Sequence, residues 1–289
     1  MRYRKITPYL FIAPMLVGLI IFRLGPILAA LVISFTRWNV RTDPEFLGLA
    51  NYRELLQNDV FWLTLKNTAF FAGLYVPGVM ILALSMALMV NQKLRGIAFF
   101  RGLYFMPYIT SMVAVAMVWN WIFSTRFGIL NNVLHSVLGI RNVAWLSDYP
   151  LLVLVIVTIW KTSGFQMMIF LAGLQGIPAY LYEAARIDGA SRPQMFWRIT
   201  LPMLTPITFF VLIFSIIQAF RTFEVTYSMT GGGPLNKSTT LAYYIYQNAF
   251  EFNRMGFASA ASYVLILIVG TITVLNFYGR RRWVIEDTY

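Results

Sequence analysis

The chain has 289 residues, 59% of them hydrophobic and only 12% charged, with a net charge of +12 and a mean hydropathy of +0.67. Soluble domains carry about a quarter charged residues, so a water-soluble globule is excluded and an integral membrane protein is expected. The absence of cysteine excludes disulfides, thiolate metal sites and a cysteine nucleophile. The basic residues fall at the ends of apolar stretches, which speaks for membrane orientation rather than nucleic-acid binding.

Crossing a bilayer takes about twenty apolar residues in a helix. Six stretches qualify, at about 9–35, 60–90, 104–123, 150–176, 203–223 and 257–279, and they predict one all-α, six-span membrane domain over residues 1–289. The first follows Arg2, Arg4 and Lys5 and is too long for the apolar region of a cleaved signal peptide, so it is expected to remain as a span. It carries Arg23, which in lipid needs a partner or a path to the interface. Beyond the third span the lone His135 sits in a polar stretch, where a solvated loop residue is the expected role rather than a metal ligand or an acid–base group.

The fourth span places Trp160, Lys161, Thr162, Ser163, Phe165 and Gln166 near its middle. An aromatic ring beside hydrogen-bonding groups suits a sugar, and Lys161 is costly enough in lipid to require a partner, water or substrate. Between the fourth and fifth spans lies a polar island, Glu183 to Pro202, in which Gly189 predicts a helix end or tight turn and Pro202 the first turn of the next helix. The fifth span offers Ser215, Gln218 and Thr222 at i, i+3 and i+7, one helical face of neutral hydrogen-bonding groups. Such a stripe fits either a polyhydroxylated solute in a central cavity or helix–helix hydrogen bonding. Arg221 and Glu224, three apart, can pair with each other. Gly231-Gly232-Gly233-Pro234 then predicts a loop, and Tyr243, Tyr244, Tyr246 and Phe250 a short amphipathic external helix, a pattern that an interfacial aromatic belt would also produce.

Orientation follows from the Lys and Arg content of the connections. Arg2, Arg4, Lys5, Lys93, Arg95, Arg101, Arg186, Arg192, Arg198 and Arg280 to Arg282 occupy one side; Arg37, Arg41, Arg53, Arg126, Arg141, Lys237 and Arg254 occupy the other, where acidic residues match them. The bias puts both termini and the island in the cytoplasm. No Gly-x-x-x-x-Gly-Lys-Ser/Thr loop is present, so an energy source in ATP would have to reside on another polypeptide.

The island spells Glu183-Ala184-Ala185, three residues, Gly189, nine residues, Ile199, one residue, Leu201-Pro202. In this it resembles the coupling loop, or EAA motif, of the permease subunits of bacterial ATP-binding-cassette importers of the type I fold. Phe46-Leu47-Gly48-Leu49-Ala50-Asn51-Tyr52, the run Phe100 to Tyr108, and Gly231 to Pro234 with Thr239-Thr240-Leu241 resemble the carbohydrate branch of that family, whose members carry maltose, lactose or glycerol phosphate. The resemblance covers nearly the whole chain. It implies that Glu183, Ala184, Ala185, Asp188, Gly189, Ile199, Leu201 and Pro202 dock into a cytoplasmic ATPase dimer, and that Ser215, Gln218 and Thr222 of the fifth span line a sugar cavity, to which Trp160, Lys161, Thr162 and Phe165 of the fourth are added on their chemistry alone. It further implies a second homologous permease as heterodimer partner, an extracytoplasmic solute-binding protein, surrounding lipid, and ATP with magnesium on the ATPase, with no cofactor, metal or catalytic residue on this chain.

Three alternatives remain at this level. An anionic solute such as glycerol 3-phosphate is favoured by Arg23, Lys161 and Arg221 and disfavoured by the neutral stripe of the fifth span. Secondary transport without ATP would need no partner subunit. A membrane-embedded enzyme would need a convergent acid, base or metal set, and apart from Glu183, Asp188 and the charges already named the sequence offers none.

Overall fold

A computed structural model describes residues 7–92, 94–140 and 143–280. Arg2, Arg4, Lys5, Lys93, Arg141, Arg281 and Arg282, used above for orientation, lie outside the described residues. The chain divides into two compact units, one made of the chain up to Phe61 with Tyr244–Leu267, the other of Trp62–Tyr243 with the chain from Ile268 onward.

In the first unit, α1 (Thr7–Leu19) runs through a π-turn at Ile20–Leu24 into α2 (Gly25–Ser34). The π-turn stands just before Pro26, which has no N–H and whose ring would meet the preceding turn of an unbroken α-helix. Gly25 donates instead to Ile20 O, one residue further back, and the helix widens where the ring must fit. Arg23 is exposed on this helix.

A two-residue antiparallel pair, β1 (Thr36–Arg37) with β2 (Glu45–Phe46), then turns the chain into α3 (Ala50–Gln57). Asn51 fixes that turn. Its buried amide donates to Ser34 O and Thr36 O, both at 2.8 Å, so it occupies carbonyls that the end of α2 leaves without helical partners. Asn51→Leu is expected to destabilise the protein by about 2 kcal/mol, because two buried acceptors lose their donors. The thermal midpoint of the detergent-purified protein reads this, and an unchanged midpoint would place those carbonyls in contact with water. In the same unit Arg254 pairs with Glu54 at 2.5 Å and lies over the Phe257 ring at 4.2 Å. The Tyr263 hydroxyl donates to Ile27 O. Burial pushes the nearby Tyr244 phenol above its ordinary range.

The second unit holds most of α4 (Asp59–Val90), then α5 (Ile97–Ile109), α6 (Met112–Ile122), α7 (Ile129–Leu138), α8 (Trp145–Asp148) and α9 (Pro150–Gly176). It continues through α10 (Ala179–Ile187), α11 (Arg192–Met195), a second π-turn at Phe196–Thr200, α12 (Leu201–Met203), α13 (Thr205–Phe220) and α14 (Glu224–Met229). Helices α15 (Leu241–Tyr246) and α16 (Met255–Arg280) each contribute residues to both units, with a third π-turn at Gln247–Glu251 between them. Two buried apolar clusters hold the second unit together. One gathers Phe71, Tyr75 and Val79 of α4 with Val153, Leu154 and Val157 of α9; the other gathers Ala83, Ala87 and Val90 with Met167, Phe170 and Leu171. Small residues one turn apart, Ala83 and Ala87, keep the α4 surface low where the larger α9 side chains pack.

Among the described residues Tyr9–Ser34, Asp59–Val90, Pro150–Gly176 and Met255–Arg280 are each long and apolar enough to cross a membrane, and counting each of two bent pairs as one span raises the number to six. The expected single span 104–123 is one of these pairs: α5 and α6 meet at 95° across Thr110 and Ser111. Pro107 precedes the break, and Thr110 takes an extended backbone that ends α5. The expected span 203–223 is shorter than its apolar run, because α13 starts at Thr205 after a 64° bend and ends at Phe220. At that bend Pro206 has no N–H for Pro202 O, and Thr205 Oγ1 donates to it at 2.7 Å. Thr222 therefore lies beyond the helix, and the assumed i, i+7 face does not extend to it. The expected short helix after the glycine loop forms as α15, but not all of its rings are where a belt would need them. Tyr243 and Tyr244 are buried, which removes them from an interfacial belt, while Phe250 is exposed.

Candidate functional site

The Glu183 to Pro202 hook is built by capping. Helix α10 ends in a Schellman closure: Ala190 N–H donates to Ala185 O at 2.9 Å and Gly189 N–H to Arg186 O at 3.1 Å. The closure needs a left-handed residue after the helix end, and Gly189 has φ +78°. Two residues on, Ser191 opens α11 with a capping box, its N–H donating to Gln194 Oε1 at 2.8 Å. The second π-turn repeats the device seen before Pro26: Leu201 N–H reaches Phe196 O one residue ahead of Pro202. Tyr182 and Thr200 share a hydrogen bond of 2.9 Å between their hydroxyls, tying the two arms together.

Glu183, Ala184, Asp188 and Gly189 are exposed on this hook, Ala185 is half-buried, and Ile199, Leu201 and Pro202 are half-buried at its base. Ile199 packs against the second apolar cluster, so the base of the hook is continuous with the core of α4 and α9. Around the exposed part stand Ile187 at 87% exposure, Trp197 at 66% and Tyr180 at 58%. These three are exposed apolar side chains that the motif does not signal. They are legible only as large apolar side chains inside an otherwise polar island.

A cavity of about 850 Å³ opens within the second unit. Its walls come from α4 (Tyr75), from the α5–α6 elbow (Tyr108, Thr110, Ser111), from α9 (Thr158, Lys161, Thr162), from Gln218 of α13 with Arg221 and Thr222 just beyond its end, and from α14 (Glu224, Tyr227, Ser228). Of the sequence-predicted substrate residues, Gln218, Thr222, Lys161 and Thr162 are brought together here. Ser215, Trp160 and Phe165 do not line it. Ser215 is completely buried, donating to Val211 O at 2.6 Å and to Gln166 Oε1 at 3.3 Å, which makes it a helix–helix contact. Trp160 lies edge-on to Trp119. Phe165 stands behind the wall, stacked on Tyr108 with ring centres 4.6 Å apart.

Neutral hydrogen-bonding groups dominate the walls. Tyr75 Oη and Thr162 Oγ1 are 3.0 Å apart, and Gln166 Nε2 donates to Tyr75 Oη at 3.4 Å, so this wall is fixed by a chain that ends at Ser215. Lys161 does not present its ammonium freely: Nζ donates to Thr110 O at 2.5 Å and to Pro107 O and Tyr108 O at 3.3 Å. An ammonium has three N–H donors, and three carbonyls account for them. Arg221 and Glu224 both line the cavity, yet among the described residues the ion pairs are Arg37–Glu45 and Arg254–Glu54; the expected Arg221–Glu224 pair does not form. Behind α14 the glycine loop is tied to α4, where Asn67 Nδ2 donates to Asn236 O at 2.9 Å and to Thr239 O at 3.1 Å. No group of three acidic, histidine or cysteine side chains able to hold a metal occurs among the described residues.

Apolar spans, one of them broken at the wall of a hydrogen-bonding cavity, with a capped hook continuous with the core, define an integral-membrane transport component. Residues 79–282 match the family model of the binding-protein-dependent transport system inner membrane component, and the chain belongs to that family. It is 38% identical to the probable ABC transporter permease protein YesP of Bacillus subtilis (strain 168), over 98% of this chain and 93% of that protein. It is 36% identical to the lactose transport system permease protein LacF of Rhizobium radiobacter, over 97% of this chain and 96% of that protein. A chain of a bacterial alginate ABC transporter, solved in complex with an alginate pentasaccharide-bound periplasmic protein, superposes with a TM-score of 0.83 at 25% identity, over 96% of this chain and 94% of that one. The protein is thus a multi-pass permease of the inner membrane and not an enzyme; ATP hydrolysis belongs to a separate chain.

Proposed function

We propose that this permease forms one half of a heterodimeric pore that imports a neutral saccharide. The cavity carries the reading. Its polar walls are hydroxyls, amides and phenols, which both donate to and accept from sugar hydroxyls. Lys161 is committed to backbone carbonyls, and the remaining charged lining groups, Arg221 and Glu224, are one of each sign. The lining keeps a small positive balance, but a phosphate would find the Lys161 N–H donors already taken by backbone carbonyls, which disfavours glycerol 3-phosphate. The relatives do not separate the two cargoes, since a lactose permease is 36% identical and an sn-glycerol-3-phosphate permease 35%, so the assignment rests on the cavity alone.

The orientation follows the positive-inside bias, with both termini and the hook in the cytoplasm. A second permease, an ATPase dimer carrying ATP and magnesium, and an external solute-binding protein complete the assembly. The exposed Ile187, Trp197 and Tyr180 give the hook apolar side chains for the ATPase to grip. Closing of the ATPase moves the hook, and its half-buried base, Ile199 and Leu201, passes the motion to α4, α9 and α13. The cavity then opens alternately to each side.

Uptake into proteoliposomes containing the complete complex tests this. Labelled lactose should be taken up only with internal ATP, and glycerol 3-phosphate should not compete. ATP-independent uptake, or efficient competition by the phosphate, would overturn the reading. Gln218→Leu should cut lactose uptake by roughly tenfold, the scale set by one or two lost hydrogen bonds, with the complex intact. Ser215→Leu should behave differently: a larger apolar side chain forced into a fully buried contact should lower the thermal midpoint instead. Equal behaviour of the two variants would erase the distinction between wall and packing residue.

A further inference from the structure

Lys161 lies in the interior of a 27-residue apolar helix, where an ammonium is expensive unless something compensates it. What compensates it is the end of another helix. Helix α5 stops at Ile109, and its last carbonyls have no helical donors. Lys161 Nζ takes Pro107 O, Tyr108 O and Thr110 O together, a cation placed at the negative end of the α5 dipole. One turn along the same face of α9, Gly164 brings the two backbones into contact, since a Cβ there would meet Tyr104 O and the Tyr104 carbonyl carbon. Phe165, four residues from Lys161, stacks on the Tyr108 ring at an interplanar angle of 14°. Three positions at i, i+3 and i+4 therefore grip the last two turns of α5 by charge, by close approach and by stacking.

What they grip is the cavity wall. Tyr108, Thr110 and Ser111, at the 95° break between α5 and α6, all line the cavity, and Met112 and Val113 continue it. We infer that Lys161 is a positioning residue: it clamps the elbow between α5 and α6, and so sets where Tyr108, Thr110 and Ser111 stand in the cavity, without itself binding the solute. The clamp is geometric and stands whatever the cargo; its consequence for uptake rests on the import reading above.

This chain carries no cysteine, so a direct test needs only partner chains whose own cysteines have been replaced or blocked. Met106→Cys on α5 and Met117→Cys on α6 are both exposed, one on each arm of the elbow, and take nitroxide labels for a distance measurement in the reconstituted complete complex. With Lys161 present the distance distribution should be narrow. Lys161→Met should broaden it about twofold, as expected when a charged hydrogen-bonded cap is removed, and Lys161→Arg, which keeps charge and donors, should restore it. Should Lys161→Met fail to accumulate, Lys161→Gln with two donors serves, and an intermediate width is expected. A distribution identical to wild type in either neutral variant would overturn the clamp, and so would lost lactose uptake in Lys161→Met with an unmoved elbow, since that outcome marks direct solute contact. A raised half-saturation for lactose, repaired by Lys161→Arg alongside the distance, supports it. The distance measurement uses no solute, so its failure is separable from a failure of the import assignment.

Discussion

Gly164→Ala is expected to destabilise the detergent-purified permease by about 2 kcal/mol or more, a large effect for a single methyl group. The reason is what the methyl would meet. Its position falls on Tyr104 O, 2.7 Å from the Tyr104 carbonyl carbon and 3.0 Å from Phe105 Cα, all of them backbone atoms of α5. A backbone cannot rotate away as a side chain does, so α5 and α9 must separate along their whole contact, taking the Lys161 cap and the Tyr108–Phe165 stack with them. Two other glycines calibrate the result. Gly78→Ala meets Ile159 Cδ1 at 2.6 Å, the flexible end of a side chain, and should have a smaller effect. Gly73→Ala, in α4 with nothing within 4 Å, should be neutral or slightly stabilising, because alanine restricts the unfolded chain more than glycine does. Thermal midpoints of the three variants, measured side by side, decide the matter: a Gly164→Ala protein as stable as Gly73→Ala would mean that the helices do not touch there.

The contrast between Gly164 and Gly189 also marks where sequence is informative. Gly189 is readable because its demand is local. A positive φ after a helix, followed by a Ser–Gln box two residues on, is written in neighbouring letters. Gly164 sits in an apolar helix with no local demand for glycine, and its requirement comes from a chain segment sixty residues earlier. The same holds for the elbow. Hydropathy runs without interruption through 104–123, so a span is visible and its break is not; only Pro107 with Thr110-Ser111, a helix breaker followed by capping residues, hints at it. Ser215 and Gln218 share a face by periodicity, yet periodicity cannot say that the first faces Gln166 of α9 while the second faces open space. Lys161 was legible as a group in need of a partner, and its partner was not, because backbone carbonyls leave no trace in the identity of the residues that carry them.

Gly189→Val is expected to abolish ATP-driven uptake while leaving the membrane-embedded helices as stable as in the native protein. Gly189 has φ +78°, and a β-branched residue in that region costs more than the roughly 1–2 kcal/mol charged to an ordinary side chain. No atom lies within 4 Å of the added Cβ, so the penalty is confined to the turn and is not relayed into the core by a clash. The turn relieves it by giving up the Ala190 to Ala185 and Gly189 to Arg186 hydrogen bonds, which leaves the Tyr182–Thr200 bond as the tie between the arms and lets the tip of the hook change its angle to α11. A hook of that kind no longer transmits force: a bend of its own replaces the movement of its base. Gly189→Asn, whose side chain tolerates the left-handed region, should retain much of the activity, so the loss tracks backbone conformation and not side-chain size. The measurement pairs lactose uptake with ATPase turnover in the reconstituted complex. Uptake lost in Gly189→Val with the thermal midpoint unchanged, and largely kept in Gly189→Asn, locates coupling in the shape of this turn; native uptake in the valine variant would show that the transporter does not work through it.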